Sequence, residues 1–556
     1  MTAEPRTGDV TADVSPQTLR TVIIASSAGT VFEWYDFFIY GALATIVSKH
    51  FFANLPDSQA FVFTLLTFAV GFVVRPLGAL VFGRMGDQKG RKGAFLITIT
   101  LMGLATFAIG CLPDFDQIGI AAPILLVACR VLQGLALGGE YGGAAIYVAE
   151  HSPPNRRGFT TSWIQTSAAL GLLGALGVIL LTRTLLGEEA FRSWGWRVPF
   201  WVSLGLLGLS LWIRMKLGES PAFQKMKDEG RTSKAPFKET FGHWPTVRLM
   251  LLVLFTLMMA QGVVWYTGNF YTQFFLERLL KVPPVTVNLI MIAVTIVSAV
   301  LYMFFGWLSD KIGRKPVMLF GMALMLCAYF PGFHMLTQAA NPALAQATER
   351  APVVVVADPA DCTFQLDLTG GAHQFTTACD IAKGVLASAG VSYDNVAAPT
   401  GTGAAIQIGE TRLLAPSAVG RAAGEVREIR KTFEDQVKAA LVSAGYPAGA
   451  DAERINLLAI FGIMVVFIVA ATALYGPLAA CLVELFPTRV RYTALSFPYH
   501  IGTGWFGGLQ PAISFAIVAA TGNIFAGLWY PAIVTAIAVV LSLLLLPETR
   551  TRDIHA

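Results

Sequence analysis

Four ionisable side chains stand inside apolar runs, where each costs about 2.5–3.5 kcal/mol on insertion scales and asks for a reason. Two lie in Glu33-Trp34-Tyr35-Asp36-Phe37-Phe38-Ile39-Tyr40. Spacings of three and four residues put Glu33, Asp36 and Tyr40 on one face of a helix. The third is Arg75 in the next apolar run, followed by Pro76, which frees a backbone carbonyl and kinks a helix. The fourth is Arg130, with Gln133 one turn on. At about 1.5 Å rise per residue, Asp36 lies about 20 Å from one end of its helix and Arg130 about 12 Å from the opposite end of its own, at comparable depth. The chemistry such a set can do is proton carriage, by Asp36 with Glu33, and retention of a carboxylate, by Arg130 and Arg75. A purely structural ion-pair network is the competing reading.

The second half holds an echo of the first acidic segment. Trp265, Tyr266 and Tyr271 repeat the spacing of Trp34, Tyr35 and Tyr40, with Thr267 where Asp36 stands and Asn269 shortly after. Charge would then be handled in the first half, and the second would add neutral hydrogen bonds and aromatic walls. Candidate binding residues are therefore Arg130, Arg75, Tyr35, Tyr40, Gln133, Trp265, Tyr266 and Asn269. His500 reads as a packed polar residue rather than a gate. The cysteines show no C-x-x-C pair and no metal-ligand spacing, so neither metal nor cofactor is expected.

These residues need helices to position them, and a repeat shows how the helices are arranged. Gly83-Arg84-Met85-Gly86-Asp87-Gln88-Lys89-Gly90-Arg91-Lys92 returns as Gly306-Trp307-Leu308-Ser309-Asp310-Lys311-Ile312-Gly313-Arg314-Lys315, offset by 223 positions. Glu150, Pro153 and Arg157 return as Glu484, Pro487 and Arg491, offset by 334, so the second half carries roughly 110 extra residues. Each copy is a charged hairpin between two apolar runs. Its glycines allow close helix approach, and Asp87 and Asp310 can accept from the amino end of a neighbouring helix. We expect Asp87, Arg91, Asp310, Arg314, Glu150, Arg157, Glu484 and Arg491 to form contacts that make and break as one side closes and opens.

Composition agrees. Hydrophobic residues are 55% of the chain and charged residues 13%, against about 25% charged in a soluble protein, so the solvent is lipid. The net charge of +5 is spread over short hairpins, which is an orientation signal and argues against nucleic-acid binding. Apolar runs of about 20 residues number twelve by this reading. The basic side is taken as cytoplasmic, with both termini there; the polar start shows no cleavable signal segment. The expected organisation is a tail (1–20), a six-helix half (21–216), a connector (217–246), helices seven to nine (247–336), an outer insertion (337–454), helices ten to twelve (455–546) and a tail (547–556). The fold class is an all-α polytopic membrane protein, twelve transmembrane helices in two six-helix halves, with a small α/β or α+β insertion. Within the insertion, 353–356 and 404–409 read as strands. Val426, Ile429, Phe433, Val437 and Leu441 fall at helical spacing. If the insertion faces an oxidising compartment, Cys362 and Cys379 can pair.

The two hairpins and Arg130-x-x-Gln133-Gly134 resemble the major facilitator superfamily. Glu33-Trp34-Tyr35-Asp36-Phe37, Arg75-Pro76-Leu77-Gly78 and Gly138-Gly139-Glu140-Tyr141-Gly142-Gly143 are similar to its metabolite:proton symporters. The resemblance implies alternating access in a bacterial inner membrane, a small-molecule substrate moved with protons, no enzyme activity and a functional monomer. Its substrate classes include organic acids, such as 2-oxoglutarate or shikimate, and proline or betaines. The enlarged loop between helices nine and ten departs from the family pattern. A short tail after Pro547-Glu548-Thr549-Arg550 lacks the coiled-coil extension of osmosensing betaine carriers. On this basis the sequence reading puts import of an organic acid first. A proline or betaine symporter, or a receptor sensing ligand through the insertion, stands as the alternative.

Overall fold

The computed structural model describes residues 16–55, 57–89, 91–139, 141–150, 152–215, 240–363, 375–486, 491–552 and 554. The connector at 217–239, Glu140 and Pro487 lie outside the described residues, as do the side chains of Asp87, Arg91 and Glu150.

Helices dominate because the apolar runs have no other way to satisfy their backbone groups in lipid. Among the described residues, nine helical bodies are long and apolar enough to cross a membrane, and Leu96–Cys111 is a shorter one. Pro16–Ala42, continued by Ala44–Phe51, and Val198–Met215 complete twelve. The second span breaks where Pro76 demands it: helix Asp57–Val73 ends, Val74 turns, and Arg75–Lys89 resumes. The seventh span, Trp244–Leu279, is wound more loosely at Leu254–Met258, Thr267–Tyr271 and Phe275–Leu279, and the eleventh at Gly502–Gly508. Such single-turn widenings cluster at functional sites. The fifth span, Arg157–Leu186, packs along both the first and the eighth, Pro284–Ile312, and so joins the halves.

The insertion is a small α+β unit. Its sheet has the order β2 (Tyr393–Ala397), β1 (Val353–Ala357), β3 (Ala405–Ile408), β4 (Thr411–Leu414). β1 runs parallel to β2, with Val353 opposite Tyr393, and antiparallel to β3, with Val353 opposite Ile408. Gly409, at φ 55°, turns β3 into β4. Helix Ala378–Ala389 makes the crossover from β1 to β2, and helix Ala423–Ser443 packs on it. Cys362 and Cys379 form a disulfide, Cα atoms 5.2 Å apart, at the start of that crossover helix. The sequence reading ends the ninth span at residue 336. The helix instead continues to Ala340, where Asn341 leaves helical geometry and its side chain caps the next helix through Leu344 N.

The insertion is tied to the second half. Tyr393 N donates to Gly522 O at 2.9 Å, Tyr393 Oη to Ala519 O at 2.8 Å and Asn395 Nδ2 to Thr521 O at 2.7 Å. Lys281 Nζ donates to Ser388 O at 2.7 Å, and Ala450 N to Lys281 O at 3.2 Å. Helix Ala378–Ala389 also packs on the helix Asp57–Val73 of the first half.

Candidate functional site

The centre of the bundle is built from the first, second, third, fourth and seventh spans. Arg130 is fully buried, 0% exposed. Its Nη1 donates to Gln133 Oε1 at 2.5 Å and its Nη2 to Phe68 O at 3.2 Å. Gln133 Nε2 donates to Thr106 Oγ1 at 2.7 Å, and Thr106 spends its own hydroxyl on Met102 O at 2.9 Å, beside the carboxyl group of Asp36. Asp36 is 5% exposed, and its Oδ1 is buried without a hydrogen-bond partner. Arg130 and Asp36 thus border one buried polar cluster, with Gln133 and Thr106 near both, and form no direct ion pair. Gly134 permits this: a Cβ there would stand 2.0 Å from Gly71 O, so only glycine lets the fourth span press onto the second.

Arg75 is buried among rings. Its guanidinium carbon lies 4.0 Å from the Phe72 ring centre, 4.6 Å from Phe37 and 6.0 Å from Trp34. Arg130 likewise stands 4.5 Å over Tyr40 and 4.8 Å over Phe37. Neither arginine has a carboxylate within ion-pair distance among the described residues. Arg75 Nε and Nη2 and Arg130 Nε are buried without hydrogen-bond partners. Ring faces attract cations, but a buried guanidinium with open donors is a costly arrangement that a ligand carboxylate would relieve.

The other candidates divide. Glu33 is buried on the same helix as Asp36. Tyr35 turns away from the centre, donating to Pro199 O at 2.9 Å, and Tyr40 donates to Thr64 O at 3.1 Å, so both hydroxyls are held by backbone. In the second half, Trp265 stacks on Phe38 with ring centres 5.7 Å apart and donates Nε1 to Tyr302 Oη at 2.8 Å. Tyr266 lies edge-on to Phe72 at 5.2 Å. Asn269 Nδ2 is used by Trp265 O at 2.9 Å, which is local support for a loosened turn. His500 is buried with neither ring nitrogen hydrogen-bonded at normal geometry, close to the Gly138 backbone. Thr106, Phe68, Phe72 and Tyr302 belong to this site and carry no signal in the sequence, because each is an ordinary residue in an apolar run.

At the basic-loop end, the duplicated motifs meet across the halves. Asp310 accepts from Gly158 N at 2.9 Å and Phe159 N at 2.8 Å, so its carboxylate sits on the amino end of the fifth span, where the helix dipole favours it. Arg314 Nη1 donates to Asp310 at 2.7 Å and its Nη2 to Glu484 at 3.1 Å. Arg157 Nη1 reaches the same Glu484 at 3.2 Å. Glu484 is 0% exposed along its side chain. Gly158 and Gly306 make the approach possible; a Cβ on Gly158 would lie 2.6 Å from Gly306 O. Arg491 takes another role, donating to Phe486 O at 2.9 Å and Ile554 O at 2.7 Å. The matching first-half contacts of Asp87, Arg91 and Glu150 lie outside the described side chains. The opposite end is also closed by rings: Phe61 meets Phe274 at 5.4 Å and Phe515 at 5.3 Å. Among the described residues, contacts between the halves therefore occur at both ends of the bundle.

The sequence profile of the sugar (and other) transporter family matches residues 21–248 and 224–354. The chain belongs to this family. The solved fold it shares is that of the major facilitators. The Escherichia coli xylose transporter XylE, partially occluded and inward open, superposes with a TM-score of 0.59 at 15% identity, covering 96% of this chain and 99% of that one. A D-xylose-proton symporter superposes at 0.57 with 17% identity, over 95% and 98% of the two chains. In sequence, the family member is 39% identical over 336 residues to a proline/betaine transporter of Salmonella typhimurium, which covers 59% of this chain and 66% of that protein. It is 40% identical over 325 residues to the proline/betaine transporter of Escherichia coli K12, covering 57% and 64%. It is 36% identical over 319 residues to the shikimate transporter of the same organism, covering 56% and 72%. The matches thus span about two thirds of the length of the first two relatives. This transporter-family member is a multi-pass membrane protein.

Proposed function

We propose that this chain is an inner-membrane symporter that carries a proline- or betaine-like zwitterion with a proton by alternating access. The observation that carries the reading is the pair of buried guanidinium groups, Arg130 and Arg75, standing on ring faces with open donors and, among the described residues, no carboxylate partner. A substrate carboxylate satisfies those donors. The rings of Phe72, Phe37 and Trp34, which hold the Arg75 guanidinium here, are the kind of faces that also recognise a quaternary or secondary ammonium. The names of the relatives support this order, and the organic-acid reading, placed first on sequence alone, becomes second. Two unpaired arginines and the shikimate-named relative still favour it over other anions. Asp36 carries the proton, buried beside the cluster of Arg130, Gln133 and Thr106, so that a change of charge at Arg130 is felt at Asp36.

The two readings differ in charge movement. A zwitterion with one proton moves a net positive charge, for which a potential of about 150 mV supplies roughly 3.5 kcal/mol, a few-hundred-fold gradient. A monoanion with one proton is electroneutral. Uptake of labelled proline, glycine betaine and shikimate into proteoliposomes, with the potential clamped by potassium and valinomycin, separates them. Voltage-driven accumulation of a zwitterion supports the proposal. Accumulation of shikimate alone, driven by pH and indifferent to voltage, selects the second reading.

A further inference from the structure

A second charged cleft, of about 120 Å³, lies away from the central network, between the outer ends of the two halves. Thr45, Lys49, His50, Arg183, Glu188 and Arg192 line it from the first half, and Glu277 and Asn288 from the second. The side chain of Arg183 is 8% exposed. Its Nε stands 3.2 Å from Glu188, which also pairs with Arg192 Nε at 2.6 Å. Its guanidinium lies 4.7 Å over the Phe191 ring beside the cleft, and its Nη1 is buried with no hydrogen-bond partner among the described residues. Across the cleft, Glu277 accepts from Gln273 Nε2 at 3.1 Å and, over a long 3.4 Å contact, from Thr45 Oγ1 of the other half. His50 is engaged by Asp114 at 3.0 Å.

We propose that this cleft is a loading site that holds the substrate zwitterion by both ends before it reaches Arg130. The carboxylate takes Arg183 Nη1, and the cationic end takes Glu277. The lining selects for that charge pattern: an anion meets Glu277 and Glu188, a cation meets Arg183, Lys49 and Arg192, and only a ligand with separated charges is matched at both walls. Occupation also bears on movement. A cation on Glu277 competes with the Thr45 hydroxyl, and the Thr45–Glu277 contact is one that joins the halves at this end. Loading therefore loosens the outer closure and admits the ligand it has selected.

The inference rests on the zwitterion reading, and the test separates the two. Labelled glycine betaine is titrated onto the purified full-length protein and uptake is measured in proteoliposomes. The wild type should bind two betaines per chain. Arg130→Gln should retain one, and Glu277→Gln should also retain one. Glu277→Gln and Arg183→Gln should each raise the half-saturating concentration for uptake about tenfold, the loss of one charge-assisted contact, with the maximal rate held. Arg183→Lys, which keeps the charge but not the fork, should fall between, and it serves where Arg183→Gln does not fold. A single betaine per chain in the wild type, loss of all binding in Arg130→Gln, or an unchanged half-saturation in Glu277→Gln overturns the loading site alone. A wild type that binds no zwitterion at all overturns the functional reading and this site with it.

Discussion

Replacing Asp310 by asparagine should unlatch the basic-loop end. In the closed arrangement the Asp310 carboxylate accepts two backbone N–H groups, from Gly158 and Phe159, and one guanidinium N–H, from Arg314. Asparagine keeps one acceptor oxygen and presents an NH2 group to the other donor. One helix-end bond is lost, together with the negative charge that faced both the fifth span's dipole and Arg314. Hydrogen bonds to charged groups are worth about 1.5–3 kcal/mol, and a charge at a helix end up to about 2 kcal/mol in a partly buried setting. Arg314 keeps Glu484, so the closed state should lose about 2–3 kcal/mol in total, a shift of about 30–150-fold in the closed-to-open ratio. The reporter is a cysteine at Ser162, which is buried beside Gly306 in the closed interface, in a chain with serine at Cys111, Cys129, Cys327 and Cys481. Its alkylation rate in membranes should rise by that factor, and net uptake should fall while protein level and substrate binding hold. Unchanged alkylation and unchanged uptake would refute the latch and leave the hairpins as markers of orientation.

Three further outcomes follow from the same structure. Gly158→Ala should abolish uptake at normal protein level, since the new methyl would stand 2.3 Å from Arg314 Nη1 and 2.6 Å from Gly306 O; counterflow with an immunoblot checks it. Glu548, whose carboxylate caps the ninth span at Arg314 N and Lys315 N, is pushed up by burial but held below its ordinary value by the backbone N–H groups of Arg314, Arg550, Lys315 and Thr549. A lowered carboxyl pKa stabilises above the unfolded value, about 4.3, and that stability is lost as pH falls through the folded value. The melting temperature of Glu548→Gln should therefore match the wild type at the acid end and fall below it at neutral pH. Cys362→Ser should cost the insertion about 3 kcal/mol, the chain-entropy value for a closed loop of this order, seen as faster proteolysis between β1 and β2 with the membrane core still intact.

The parts of this molecule that could be read from sequence are those where one residue type at one spacing has a single use. The duplicated Gly–Asp–Gly-Arg-Lys hairpins disclose the two halves, and an aspartate one turn from a glycine contact points to the amino end of a neighbouring helix. Arg130 and Gln133, one turn apart, are linked directly. The long-range partners were not legible. Nothing local says that Thr106 stands between Gln133 and Asp36, that Tyr302 holds Trp265, or that Tyr35 spends its hydroxyl on Pro199. Helical periodicity tells which face is apolar but not which ring across the bundle it meets, and here the rings of Phe37, Phe68 and Phe72 decide how the arginines are held. The insertion was legible where strands alternate or a helix is amphipathic. Its anchorage on the Ala519–Gly522 turn was not, since it depends on backbone carbonyls that every residue has. Substrate order was not legible for a related reason, because two arginines suit a carboxylate whether or not its other end is positive.

The central claim is that Asp36 couples proton movement to a substrate held by Arg130. The most direct measurement compares two activities of Asp36→Asn in proteoliposomes: accumulation of labelled substrate driven by an imposed proton gradient, and exchange of labelled for unlabelled substrate at equal concentrations with no gradient. The account predicts that accumulation is abolished while exchange persists, since Arg130, Gln133 and the ring faces that hold the substrate are untouched. Full uphill accumulation by Asp36→Asn would contradict it and pass the proton to Glu33.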